Sequence, residues 1–209
     1  SPVLIAHTSE DELRDAIKEV NDDDVDAIIQ AGTNLAMARV ATVAEKWLNN
    51  LTTMKADFIQ VSSDGSTAEG VIYIKKGKGF RFEYLPPSPL LIVGRGNWII
   101  VQNLNDKTSD NYPISETPFA KFLSDKVSLR SKNFNTSTKN NNGIISIKMD
   151  SKEKAGSSLT IDFSLKPFQL RRWKIIDQVG TEVIVTLQNH SYGIQLPDKT
   201  FWGIAFPVK

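Results

Sequence analysis

Cysteine is absent from the 209 residues, which excludes a disulfide framework, a thiolate metal site and a cysteine nucleophile together. Histidine is nearly absent, with only His7 and His190 to serve as the commonest catalytic base. Neither sits in an HExxH pattern and no GxSxG elbow occurs. Gly94-Arg95-Gly96 does not continue into a phosphate-cradling loop ahead of a helix, so it reads as a turn. Charge of one sign is not in excess: 25 Lys and Arg against 24 Asp and Glu leave a net charge of +1, too little for a global field that steers nucleic acid or anionic membrane. No apolar run approaches the roughly 18 residues of a membrane-spanning helix. The expectation is a soluble protein that is not an enzyme, without metal, nucleotide or other cofactor. Acidic pairs of the glycosidase kind are not locatable in the sequence, and most acids fall beside turns. The start at Ser1, with neither an initiator Met nor an apolar signal core, fits an exported protein after processing or simply a trimmed chain.

What is present begins with helical signals. Ser9 and Glu12 form a capping-box pattern ahead of Leu13, Ala16, Ile17 and Val20. Asn21 to Asp24 interrupt that helix as a solvated cap lacking the ligand spacing of a calcium loop, and Val25, Ile28 and Ile29 precede a stop at Gly32. From about Asn34 to Asn50 a longer amphipathic helix places Ala36, Val40, Val43 and Trp47 on one side. After Leu51 the hydrophobic period changes to two. Segments near 53–61, 71–76, 80–85, 89–93, 98–103, 143–149, 158–165, 170–177, 181–188 and 201–206 are rich in β-branched and aromatic residues. Turns are expected at Ser66–Glu69, Gly94–Asn97, Lys166–Gln169 and Val179-Gly180, and no long helices intervene as crossovers. Sequential hairpins in an antiparallel, strongly curved sheet follow. Thr117 and Pro118 look like an N-cap and first helical residue ahead of Phe119, Phe122 and Leu123, and the polar tract Asn133–Asn142 reads as a loop. One domain spanning residues 1–209 is expected, with 1–32 as a helical extension and 33–209 as the core.

Phe80, Phe82 and Tyr84 alternate along one strand, Ile72 and Ile74 share a face of the preceding one, and Trp98 and Ile100 share a face further on. These form either an ordinary core or, under a small lid helix, the wall of an apolar cavity. Lys75, Lys76, Lys78 and Arg81 surround the wall at a hairpin. They are either a solvated tip or a surface for an acidic partner or anionic headgroups. Asn50-Leu51-Thr52, Asn135-Thr136-Ser137 and Asn189-His190-Ser191 satisfy the glycosylation tripeptide, a pattern that chance supplies readily in such a chain.

The stretch Met54-Lys55-Ala56-Asp57-Phe58-Ile59-Gln60, followed by residues Gly70 to Tyr84, resembles the bacterial outer-membrane lipoprotein carrier protein (LolA) family, of the alphaproteobacterial type. Ser88-Pro89, Trp98, the Thr117-Pro118-Phe119 segment, the strand Leu170 to Asp177 and the Phe201 segment follow in the order that family shows, so the resemblance covers about residues 35–206. It implies an incomplete antiparallel β-barrel closed by short lid helices around a hydrophobic cavity. The implied protein is a monomeric periplasmic chaperone of Gram-negative bacteria that takes acylated lipoproteins from an inner-membrane ABC-type transporter. It passes them to an outer-membrane acceptor or to that membrane itself. A lipid-binding or lipoprotein-sensing regulatory module of the same fold is the alternative. By the resemblance, Phe80 and Phe82 match aromatic positions at the cavity mouth and Trp98, Phe119 and Phe122 apolar positions near the ligand; with Phe58, Ile72, Ile74, Tyr84, Ile100 and Leu123 they make up the expected acyl-binding set. Lys76-Gly77 stands where the family usually has Arg-Pro, an arginine associated with coupling the lid to transfer. The lysine keeps the charge without the planar fork that makes bidentate contacts.

Overall fold

The computed structural model describes residues 34–165 and 167–207, with side chains from Arg39 onward apart from Pro118, Phe119 and Lys121. The two helices expected before Gly32 lie outside the described residues. Helix α1 (Asn34–Asn50) is followed by strands β1 (Thr53–Ser62), β2 (Thr67–Lys75), β3 (Gly79–Tyr84), β4 (Leu90–Arg95), β5 (Trp98–Asn103) and β6 (Thr108–Pro113). Helix α2 (Pro118–Ser124) precedes β7 (Phe134–Asn141), β8 (Ile144–Ser151), β9 (Ser158–Leu165), β10 (Phe168–Ile176) and β11 (Glu182–Tyr192). All eleven strands belong to one sheet in the order β6-β5-β4-β3-β2-β1-β11-β10-β9-β8-β7. β6 and β7 are its two ends, so the sheet does not close. Neighbours along the chain pair as antiparallel hairpins on both sides of the β1–β11 junction, as the short Gly- and Asn-containing connections dictate.

Four segments depart from the sequence reading, the first being β2, which begins at Thr67 inside the turn expected at Ser66–Glu69. β7 occupies the tract expected as a loop, and β6 has no counterpart among the expected strands. Both are edge strands: β6 is exposed almost throughout, and β7 alternates half-buried residues and the buried Asn140 with exposed ones. Such strands need no apolar face, and polar side chains protect their free edges. Residues 202–207 belong to no strand, and a 3-10 turn (Asp198–Phe201) stands where the sequence predicts the start of a strand.

The described residues fall into two compact units. The first takes in α1 through Leu48, Ser62–Asp64 and Ser128–Thr186. There Val40, Ala41, Val43, Ala44 and Leu48 of α1 are buried, as are Ile145, Ile147, Met149, Ile161, Phe163 and Trp173 of the strands. Trp47 meets Phe163 edge-on at 5.6 Å, and Phe163 stacks on Phe168 at 5.0 Å. On the other strand face Arg172 holds Asp162 through Nε and Nη2, both at 2.7 Å, a charge-assisted geometry that offsets the burial of the carboxylate.

The second unit comprises Asn49–Val61, Gly65–Val127 and the chain from Leu187. One sheet face, here called outer, is crossed by the C-terminal segment. Leu196 and Phe201 pack on Leu91 and Val93 with Tyr73 and Ile194 alongside. Thr53 Oγ1 donates to Ile194 O at 2.8 Å, and Arg81 donates to Thr200 O and Trp202 O. The buried Gln102 side chain donates to Ile204 O and accepts from Ile204 N–H, both at 2.8 Å. Its amide stands in for a strand rung where no strand pairs.

Candidate functional site

The opposite, inner face of the second unit carries the apolar wall, and strand register decides its membership. Met54, Ala56 and Phe58 pair with Ile74, Ile72 and Gly70. These in turn face Phe80, Phe82 and Tyr84. Phe80 and Phe82 face Gly94 and Ile92, which face Ile99 and Val101. Paired residues share a face, so Phe58, Ile72, Ile74, Phe80, Phe82 and Tyr84 come together as expected. Trp98 and Ile100 do not join them. The two-residue Gly96-Asn97 turn pairs Trp98 with Arg95 and Ile100 with Val93, which sends both to the outer face, where Trp98 is half exposed. Ile99 and Val101 take their place. The sequence misleads here because Trp98-Ile99-Ile100-Val101 is apolar at every position and shows no alternation. Counting outward from the turn gives the correct face.

The wall is close-packed. Phe58 meets Phe82 at 5.5 Å and Tyr84 at 5.0 Å, and Phe80 meets Phe82 at 5.7 Å, all edge-to-face, the arrangement that ring quadrupoles favour. Two glycines make room. A Cβ at Gly94 would fall on the Phe80 ring, and one at Gly70 would meet the Glu83 carbonyl oxygen first and the Phe58 ring next. Tyr84 donates to Gln60 Oε1 at 2.7 Å, which satisfies the hydroxyl at the edge of the wall, and burial pushes its pKa up to about 12.

Helix α2 packs against β2, β3 and β4. Pro118 opens it, as its fixed φ and missing N–H favour, and Ala120, Phe122 and Leu123 are buried. Phe119 lies in this helix, but its side chain is outside the described residues. Lys76 continues the parity of Ile72 and Ile74 and reaches the end of the helix, donating to Phe122 O at 2.8 Å and Asp125 O at 2.6 Å. Gly77 N–H donates to Ser124 O at 2.7 Å. A lysine therefore makes the two-point contact with lid backbone for which the sequence offers no fork. One ammonium with three donors suffices because both acceptors are carbonyls at a helix C-terminus, where the dipole favours a cation. Burial pushes the Lys76 ammonium down to about 8, with the Asp125 carboxylate pulling the other way.

The other basic residues of the hairpin make contacts within the chain, and Lys78, at the exposed tip, does so in solvent. Lys75 donates to Leu196 O at 3.2 Å, Lys78 pairs with Asp198 at 3.3 Å, and Arg81 holds Glu83 at 2.6 Å as well as the C-terminal carbonyls. They fasten the chain to itself. A shallow groove of about 430 Å³ on the outer face, lined by Tyr73, Arg81 and Glu83 and by Lys199, Thr200 and residues 202–204, lies across the strands from the wall. His190 stacks near Tyr192 at 6.0 Å. Among the described residues no group of three His, Cys, Asp or Glu could hold a metal ion, and no helix is long and apolar enough to cross a membrane.

Comparison with known proteins bears on this arrangement. The family model described as outer membrane lipoprotein carrier protein LolA matches residues 49–202. An uncharacterized protein of Rickettsia prowazekii is 30% identical over 83 residues, 40% of this chain and 39% of that protein, so the match spans about two fifths of that relative. Among solved structures, an uncharacterized conserved protein of Thermus thermophilus is similar with a TM-score of 0.50 at 10% identity, covering 78% of this chain and 91% of that one. A LolA superfamily protein of Nitrosomonas europaea has a TM-score of 0.46 at 7% identity, covering 80% and 98%. The Thermus likeness speaks to the fold.

Proposed function

From the premise that this chain belongs to the outer membrane lipoprotein carrier protein (LolA) family, we propose that it is a periplasmic chaperone. In this reading it binds the acyl chains of lipoproteins released from the inner membrane and carries them to the outer membrane. The observation that carries the reading is the inner wall of β1–β5, built from aromatic and aliphatic side chains and covered by a short helix that Lys76 holds from one end.

Acyl chains leaving a membrane need such a surface. Each exposed methylene costs about 0.8 kcal/mol, so one long chain exposes on the order of 10 kcal/mol to water. The wall residues are already buried, so chains enter by lifting α2 from the sheet and packing between Phe80, Phe82, Ile72 and Ile74 below and Phe122 and Leu123 above. The exchange of apolar protein contacts for apolar ligand contacts leaves a small net affinity, which suits a carrier that must also unload. Lys76 ties the lid state to the hairpin. In this reading the donor is an ABC-type transporter of the inner membrane, and the recipient is an outer-membrane acceptor or that membrane directly.

The test adds the purified chain to spheroplasts synthesising a radiolabelled acylated lipoprotein. Label released into the soluble fraction as a one-to-one complex is the expected result. No release, while a known carrier succeeds in the same preparation, would sink the carrier reading.

A further inference from the structure

Helix α2 is flanked by an anchor on each side and fastened between them, and that fastening differs in kind from the trailing anchor. At the trailing end Asn49, in the last turn of α1, pairs with the Val127 peptide in both directions. Its Nδ2 donates to Val127 O at 2.9 Å, and Val127 N–H donates to its Oδ1 at 2.8 Å. At the leading end Ile114 is buried and its N–H donates to Asn97 O at 2.8 Å. Between these points the lid proper is fastened by Lys76 to Phe122 O and Asp125 O and by Gly77 N–H to Ser124 O. Lys126, which alone separates that fastening from Val127, is exposed and supplies slack.

The cost of undoing each tie is set by what water gives back. Freeing Lys76 rehydrates a half-buried ammonium, a large gain that offsets the two lost hydrogen bonds, and its four-carbon stem needs little rearrangement. Freeing Asn49 separates two neutral amides that regain only ordinary hydration, while both hydrogen bonds are lost. The lysine fastening is therefore the one that lets go.

We infer that Asn49 is the hinge pin of α2: the lid turns about the Asn49–Val127 pairing while the Lys76 and Gly77 contacts open. Asn49 is a positioning residue, acting on the wall through the helix it anchors. The functional meaning of the motion rests on the acyl-carrier reading, but the hinge itself is a property of the chain alone.

Residue-resolved hydrogen exchange on the whole chain separates the two ties, because Gly77 N–H reports the lysine fastening and Val127 N–H reports the pin. After correction for intrinsic rates, Gly77 should exchange at least about tenfold faster than Val127. Lys76→Met should speed Gly77 further and leave Val127 unchanged. Asn49→Ala should bring Val127 up to the rate of Gly77, and Asn49→Asp, which keeps the acceptor for Val127 N–H, should recover part of the protection. One common rate for both amides in the unmutated protein and in Lys76→Met overturns the hinge, since the lid would then leave as a unit. That comparison decides the matter even if Asn49→Ala does not fold. A synthetic triacylated lipopeptide tests the function separately. A Gly77 rate indifferent to it, with the Gly77–Val127 difference intact, refutes the acyl site and leaves the hinge standing.

Discussion

Lys76 sits under the end of α2 with two carbonyls on its ammonium, and burial lowers its pKa to about 8. The folded state thus binds fewer protons at this group than the unfolded state between pH 8 and the ordinary lysine range near 10.5. Stability rises with pH wherever that holds. Below pH 8 the amine is charged in both states and the burial penalty is fully present; raising the pH through 8 relieves it. Lys76→Arg, which keeps its charge throughout, lacks this relief. Relative to Lys76→Arg, the unmutated protein should gain on the order of 1–2 kcal/mol between about pH 7.5 and 10, screened by the water that still reaches the side chain. Urea denaturation at a series of pH values measures the difference, and a flat difference would place the amine in water. In the sequence this residue was legible as a cation beside the wall. Its two acceptors were not, because they are backbone groups brought close only by folding.

Strands and helices were legible where burial imposes a period. α1 and α2 stand where the 3.6-residue pattern and Thr117-Pro118 put them, and the long strands stand where alternation put them. Edges were not legible: β6 reads Thr-Ser-Asp-Asn-Tyr-Pro and satisfies its backbone with no apolar face at all. β5 failed in a different way, since its existence was plain and its facing was ambiguous. The two faces of β5 give a direct check. Val101→Asp puts a carboxylate on the inner wall and should weaken uptake of a fluorescent acyl probe at least about tenfold. Trp98→Ser, on the outer face, should leave uptake within about twofold and stability within about 0.5 kcal/mol. Equal losses from both substitutions would mean that the register does not separate the faces in solution.

For the whole molecule, the same hairpin logic runs through both compact units, but each has its own set of buried anchors. Phe163, with Trp47 and Phe168 around it, belongs to the first unit; Phe201, with Leu91, Val93 and Leu196, belongs to the second. Each truncation to alanine should cost about 3–5 kcal/mol. Because the two residues share no partner in these groups, the costs should sum within about 0.5 kcal/mol in a double-mutant cycle followed by denaturant unfolding. A coupling well beyond that would show strain passing between the anchors. None of this was readable from composition: the first-unit strands and the C-terminal segment are similarly apolar, and only the fold assigns them to different cores.

The seating of Phe80 over Gly94, and of Phe58 over Gly70, also bears on how this wall can change over generations. Ring and glycine occupy one shared volume, so neither position is free to drift alone. A methyl group gained at 94 displaces the ring, and a ring lost at 80 leaves bare backbone beneath the lid. Exchange at 94 or at 80 alone should therefore cost more than a matched exchange at both, which makes the pair the unit of change in this part of the wall.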